Sequence, residues 1–381
     1  MRHLFVLLIF ILLSFGLRLN AQTAEKEDSI KSNWLAKGAG FADDLLGVVT
    51  MENGRHAFSI YPAMGYSPRT GLEFGIMPVW RMQAKRAEVK GPTTLSTSFL
   101  LSLGGMYNAK IDLRAFVAKN WLLWSKAQYT FLPDKFYGLG NAPKQEPYSH
   151  YDLNVLTLSM DLAKGIGEKW FFGVRMDINR NMHENRTGDL LNESVTGYKG
   201  GWANGVGPMM VFDSRNDVLY PSKGSLLLIS HLFYGGDFKF TSSSIDYRKY
   251  FSIVKDKSIL AWQGAMTFTN GSVPFYKLST IGGKELLRGI PHPHKYLDKN
   301  AWYSQLEWRQ HFWWRIGATA FTGVGKVMPD FKSNFFSQLH AVAGLGFRFK
   351  VLPDEGLNFR LDYGVSNHNE RSLFFTIREA F

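Results

Sequence analysis

Leu357-Asn358-Phe359-Arg360-Leu361-Asp362-Tyr363-Gly364 alternates apolar and polar residues along its length. Phe172-Gly173-Val174-Arg175-Met176-Asp177-Ile178-Asn179 does the same. Between Trp302 and Phe312, one face carries Trp302, Leu306, Trp308 and Phe312, with Ser304 and Gln310 as exceptions. The other face carries Tyr303, Gln305, Glu307, Arg309 and His311. A period of two is the signature of a strand with one wet and one apolar face. A soluble sandwich alternates too, with its apolar face inward. Here the polar faces hold Arg together with Asp or Glu, and the apolar faces are rich in aromatics. That combination suits a barrel with a polar lumen and lipid outside.

Working outward from these runs gives sixteen strand-like segments, from 57–66 to 372–381. Each is close to the roughly 9–11 residues that a tilted strand needs to cross a bilayer. The three longest gaps, 132–150, 181–202 and 270–300, follow runs five, seven and eleven. All three therefore fall on one side of the sheet, as the long outer loops of outer-membrane barrels do. The sequence thus predicts an all-β fold, a 16-stranded antiparallel transmembrane β-barrel with a long inward-folding loop after strand 11.

Composition agrees. The 381 residues include 37 Gly, 30 Phe, 16 Tyr and 11 Trp, with 45% apolar residues, enough for a large folded surface. No run of about 18 apolar residues follows the N-terminal segment, so no spanning helix is expected. The absence of cysteine excludes disulfides, thiolate metal sites and a Cys nucleophile. Residues 1–21 read as a secretory signal: Met1-Arg2-His3, an apolar run from Leu4 to Leu17, and Leu19-Asn20-Ala21 at the cleavage end. Residues 22–54 form a short N-terminal segment on the periplasmic side. In it, Trp34, Phe41, Leu45, Leu46 and Val49 suggest an amphipathic helix, weakened by Gly38 and Gly40. Residues 55–381 form the barrel. The chain closes on Leu373, Phe375, Ile377 and Phe381, expected on one face; a terminal strand ending on an aromatic resembles the sorting signal of outer-membrane barrels.

The gap at 270–300 contains Ile281-Gly282-Gly283-Lys284-Glu285-Leu286-Leu287-Arg288-Gly289-Ile290. This phrase resembles the loop after the eleventh strand in the bacterial surface-antigen superfamily of outer-membrane barrels, the BamA, TamA and two-partner-secretion transporter type. There a Gly-Gly pair precedes an aliphatic–Arg–Gly–aromatic tip; Ile290 stands where the aromatic is usual. Phe136-Tyr137-Gly138-Leu139-Gly140-Asn141, Phe212-Asp213-Ser214-Arg215-Asn216-Asp217 with Tyr220-Pro221-Ser222-Lys223-Gly224, and the terminal hairpin Gly356–Phe381 resemble further phrases of that family, in the right order.

The resemblance implies that Arg288 folds back into the lumen and pairs with acids on the inner wall. Glu307 is the matching candidate, with Arg309 beside it on the wet face. A second acid is expected in a Phe-x-Asp-x-Gly phrase, but this chain reads Phe321-Thr322-Gly323-Val324-Gly325. Gly323 replaces the Asp, so a looser or different anchorage is expected. The resemblance also implies a factor that inserts or exports proteins by opening the seam between first and last strands, with no covalent chemistry. Residues 22–54 are too few for the periplasmic POTRA domains that usually receive clients, which leaves that role to a separate periplasmic partner, to the short N-terminal segment, or to nothing at all. The alternative class is a passive pore or an accessory barrel of a larger complex.

No nucleophile elbow, phosphate loop or dinucleotide fingerprint stands out. His292-Pro293-His294 reads as a stiffened, solvated loop and not a metal pair, and no cofactor is expected. The net charge of +12 favours anionic partners such as lipopolysaccharide in the outer membrane, and at that location nucleic acid is not among them. The remaining expected partner is a client outer-membrane or exported protein.

Overall fold

The computed structural model describes residues 49–381, apart from 84–91, 143–145, 147, 256, 331–333, 353–356 and 378. The signal segment and the expected helix around Trp34, Phe41, Leu45 and Leu46 lie outside the described residues.

The described chain is built from strands. They are β1 (Val49–Asn53), β2 (His56–Ser67), β3 (Gly71–Met82), β4 (Thr93–Ser102), β5 (Tyr107–Ala118), β6 (Trp121–Phe136), β7 (Ser149–Ile166), β8 (Trp170–Thr187), β9 (Gly200–Asp213), β10 (Gly224–Gly236), β11 (Phe240–Val254) and β12 (Ser258–Gly271). A 3-10 turn (Phe275–Lys277) and the two-residue strands β13 (Ser279–Thr280) and β14 (Leu297–Asp298) follow within a loop. The wall resumes with β15 (Asn300–Trp313), β16 (Ile316–Met328), β17 (His340–Leu352), β18 (Leu357–Ser366) and β19 (Arg371–Ile377). Without β1, β13 and β14, sixteen strands remain, one for each run read from the sequence.

Every neighbouring pair in the wall is antiparallel, and β19 meets β2 to close the sheet. Closure removes the open edges that a sheet would otherwise expose. The alternation sets the two faces. On β18, Leu361, Tyr363 and Val365 are 40%, 47% and 39% exposed, whereas Arg360 and Asp362 are 1% and 0% exposed. The polar side chains are the buried ones. In water that arrangement exposes an apolar belt far larger than a soluble monomer carries; against lipid tails it is the stable one. Trp121, Trp170 and Trp313 sit at the short-turn ends of their strands, as an aromatic girdle at one rim requires.

The long loops 137–148, 188–199 and 272–299 leave the barrel at the opposite end. Apolar residues of the last two pack together at that mouth. Leu191 and Val195 of one loop join Phe275 and Leu297 of another, with Phe136 and Tyr151 from the wall. A second apolar cluster holds Ile281, Leu287, Ile290 and Tyr296 against Val327 and Val342 of the wall, which draws the loop after β12 inside the barrel.

Two boundaries differ from the sequence reading. Val49 belongs to β1, which pairs with β2, and not to a helix. The last strand ends at Ile377, and Phe381 is not on a common outer face with Phe375 and Ile377. It is 5% exposed and packs inside with Tyr250 and Ala261.

Candidate functional site: the docked loop and the seam

The loop after β12 is a folded unit. The amide of Leu287 donates to the Ile281 carbonyl at 3.0 Å, and those of Ile290 and Gly283 to the Leu287 and Ile290 carbonyls, both at 3.0 Å. Gly283 has φ +101°, a backbone state that glycine adopts without strain. The turn so formed buries Leu287 and Ile290 fully and points Arg288 at the wall.

Arg288 is 0% exposed. Its Nη1 donates to Asp362 Oδ2 at 2.6 Å, and its Nη2 lies 2.5 Å from Glu307 Oε2. The guanidinium lies over the Phe321 ring, 3.8 Å from the centroid, and adds a cation–π contact. Its carbonyl accepts the Ser372 hydroxyl of β19. The carboxylates are shared. Arg309 Nε donates to Glu307 Oε1 at 2.6 Å, and Arg348 Nη1 to Asp362 Oδ1 at 2.5 Å. Arg348 also reaches Glu379 at 2.8 Å. Arg360 Nη2 donates to the Lys284 carbonyl at 2.8 Å. Four guanidinium groups thus share three carboxylates and recruit backbone carbonyls as extra acceptors. That sharing offsets the desolvation which makes isolated buried charges costly.

The structure brings Leu287, Arg288, Glu307, Arg309, Phe321 and Gly323 into one place. Gly282, Gly283, Gly289 and Ile290 shape the turn that delivers them. Gly323 supplies no anchor, as expected, and its place in the site is steric. A Cβ at Gly323 would stand 2.8 Å from Leu287 Cδ2, so the space of the family's Asp is taken by Leu287. The second carboxylate comes from β18 as Asp362. Of the looser or different anchorage expected, the structure shows the different one: Arg288 has two carboxylates, and the second lies on another strand. Close approach is permitted by glycine elsewhere too. A Cβ at Gly364 would meet the Arg288 carbonyl at 2.4 Å, and one at Gly346 would meet Asp362 Oδ1 at 2.1 Å. Asp362 and Gly346 both lie in alternating runs; their inward direction was readable, their partner was not.

Nearer the mouth with the long loops, Asp134 is a second anchor that sequence reading missed. Arg69 binds it with two nitrogens, Tyr151 donates to it at 3.1 Å, and His292 Nε2 donates to it at 2.8 Å. His294 Nδ1 lies 3.4 Å away. His292 is therefore not a solvated loop residue: it is 6% exposed and ties the loop to β6. Burial pushes its imidazole down to about 4.

Below the docked tip lies a cavity of about 850 Å³, lined among others by Arg81, Arg114, Arg175, Arg215, Lys284 and Glu285. The wall beside it is discontinuous in strength. β19 and β2 share one residue pair, Phe375 with Tyr66, whereas β18 and β19 share seven and β6 and β7 sixteen. Phe375 and Ile377 are half-buried in β19, and beyond Ile377 the end of the chain is held inside. Arg309 Nη2 donates to the Phe381 carbonyl at 2.7 Å, and Asn358 Nδ2 to Glu379 Oε1 at 2.9 Å.

A family model of the Omp85 superfamily domain matches residues 107–372. Among solved structures, BamA from Haemophilus ducreyi lacking POTRA domains 1-3 is similar at 15% identity and a TM-score of 0.59, over 86% of this chain and 70% of that one. CdiB from Acinetobacter baumannii is similar at 13% identity and a TM-score of 0.53, and CdiB from Escherichia coli at 9% and 0.54. Each comparison covers 86% of this chain, which spans 60% and 63% of those two. At such identities the likeness is one of fold. A comparison with curated proteins returns no match.

Proposed function

The chain belongs to the Omp85 superfamily, and from that premise we propose that it is an outer-membrane protein assembly or translocation factor that works by opening its β2–β19 seam, without covalent chemistry. The seam carries this reading. A ladder of one residue pair costs little to open, whereas any other part of the wall must lose at least seven pairs. An opened seam exposes the backbone of β2 as a template on which an incoming strand can pair. The docked loop supports that role: Arg288 and Ser372 tie the tip to β18 and β19, so the tip steadies the strands on one side of the seam while the ladder across it stays weak. In this reading the N-terminus faces the periplasm, where a separate partner delivers the client, and lipopolysaccharide surrounds the outer rim.

The test is quantitative proteomics of outer membrane and medium, with and without the gene. The comparison is repeated with a seam-locked Tyr66→Cys/Phe375→Cys protein, oxidised or reduced. The chain has no cysteine of its own, so the bridge is unambiguous. Broad loss of other barrels points to a general insertase, and loss of one or a few proteins to a dedicated translocator. The oxidised lock is expected to copy the loss and reductant to reverse it. An Ile111→Cys/Ala127→Cys bridge between β5 and β6 serves as control. If neither removal of the gene nor the lock changes any protein, the seam reading is wrong and the passive barrel takes its place.

A further inference from the structure

β2 receives two strands on its seam edge, at different heights. β1 pairs with its lower part, from Val49↔Ile60 to Asn53↔His56. β19 pairs with its upper part, at Tyr66. Both run antiparallel to β2, so β1 and β19 point the same way along the seam. Their registers abut. Carried straight on from Phe375↔Tyr66, the C-terminal strand would place Phe381, its last residue, opposite Ile60, where the ladder to β1 begins. β19 ends at Ile377 and Phe381 is buried inside the barrel, so the C-terminal strand does not follow β2 down to His56–Ser59, and β1 pairs with them instead. It is folded back by the two-residue turn Gly54-Arg55, in which Gly54 has φ +59°, the sign that the first position of a type II′ hairpin requires.

We propose that β1 is an intramolecular stand-in for the client strand: it occupies the template edge of β2 at rest and is displaced when a client strand pairs there. The proposal rests on the seam-opening reading above. Three features fit it. β1 is an antiparallel strand on the edge that the reading assigns to the client, so the two cannot be bound together. The described side chains add little to its hold: Met51 is 62% exposed and Asn53 is exposed as well. It holds β2 through a backbone ladder of five residue pairs, which any strand of suitable length reproduces. It also sits at the end of the barrel with the short turns, on the periplasmic side in this reading, where a client arrives first. A client strand longer than five residues gains pairs upward along β2 that β1, limited to His56–Ile60, does not make. That gain favours exchange once the client is present, while β1 protects the edge from unwanted pairing when it is absent.

The experiment fixes β1 in place. Glu52→Cys and Ala57→Cys stand opposite each other in the ladder and are bridged by oxidation or by a short thiol cross-linker in native membranes. The readout is the amount of those proteins that fall when the gene is removed. The bridged protein is expected to deliver them about tenfold less well, reductant restoring the oxidised form, because a fixed competitor excludes the client from the edge. Replacing residues 49–53 by a Gly/Ser linker should keep delivery and raise non-specific cross-linking through a Phe58→Cys probe on β2. The proposal is overturned if the pair does not bridge in the folded barrel. It is also overturned if the β1-bridged protein delivers normally while the seam-locked Tyr66→Cys/Phe375→Cys protein fails. Normal delivery by both locked proteins overturns the seam reading itself.

Discussion

Arg288 shows how one side chain sets the position of a loop. It is buried among two carboxylates and the Phe321 ring, and Arg309, Arg348 and Arg360 compete for the same acids. Removing it leaves Glu307 and Asp362 to those three guanidinium groups and opens a void beneath the tip. Arg288→Ala is expected to lower the stability of the docked loop by about 3 kcal/mol, at the lower end for a broken buried pair because the carboxylates keep other partners. Thermal unfolding in detergent checks it, and an unchanged transition would remove the tip from the energetics of the barrel. Gly364→Ala tests the same contact from the wall. Its Cβ would stand 2.4 Å from the Arg288 carbonyl, and neither backbone can yield cheaply, so a loss of about 2 kcal/mol is expected in the same assay. Glu307 was legible in the sequence because it stands in an alternating run and the loop motif asks for an acid. Asp362 stands in an equally regular run. Alternation gives the direction of a side chain, not its partner, and the guanidinium it meets lies 74 residues earlier in a loop that only the closed barrel brings back.

The strands were the most readable elements, because each repeats one choice of face many times. All sixteen wall strands correspond to runs in the sequence, including the odd-to-even order that sends the long loops to one end. The ends were less readable. The last run suggested a strand through Phe381, but β19 stops at Ile377. Alternation persists in the letters there, while Arg309, Arg348 and Asn358 offer inward partners to the end of the chain that a further ladder with β2 would have to outbid. β1 was unreadable for the converse reason: five residues beside a turn show too short a period to identify a strand. The inward end has a measurable consequence. Phe381→Ala removes a buried ring packed on Tyr250 and Ala261 and is expected to cost about 3 kcal/mol. Phe375→Ala, on a half-buried strand face, is expected to cost less than half of that. If the two variants melt alike, the ring of Phe381 is not packed inside.

At the scale of the whole molecule, the loop after β12 is anchored at two depths. Arg288 holds it within the lumen, and His292 holds it to Asp134 near the mouth with the long loops, where Arg69 and Tyr151 reach the same carboxylate. Only the upper of these two anchors contains an imidazole. His292 donates from Nε2 to Asp134 while its Nδ1 accepts the His294 amide, at 3.2 Å. An imidazolium has no free lone pair and cannot accept there, so the docked state requires the neutral ring. Burial accordingly pushes its pKa down to about 4, against about 6.5 for an exposed imidazole. A released loop thus binds a proton that the docked loop refuses. The stabilisation is complete above about pH 6.5 and is lost as the pH falls towards about 4, with a limit near 3 kcal/mol. Proteolysis of loop 272–299 in native membranes should therefore accelerate on acidification from about pH 7.5 to about pH 4.5. His292→Gln keeps an amide donor for Asp134 without a titrating ring and should flatten that dependence. Identical pH profiles for the two proteins would show that His292 does not govern release. The Arg288 anchor contains no imidazole. Acid is therefore expected to free the outer part of the loop first and to leave the tip docked beside the seam.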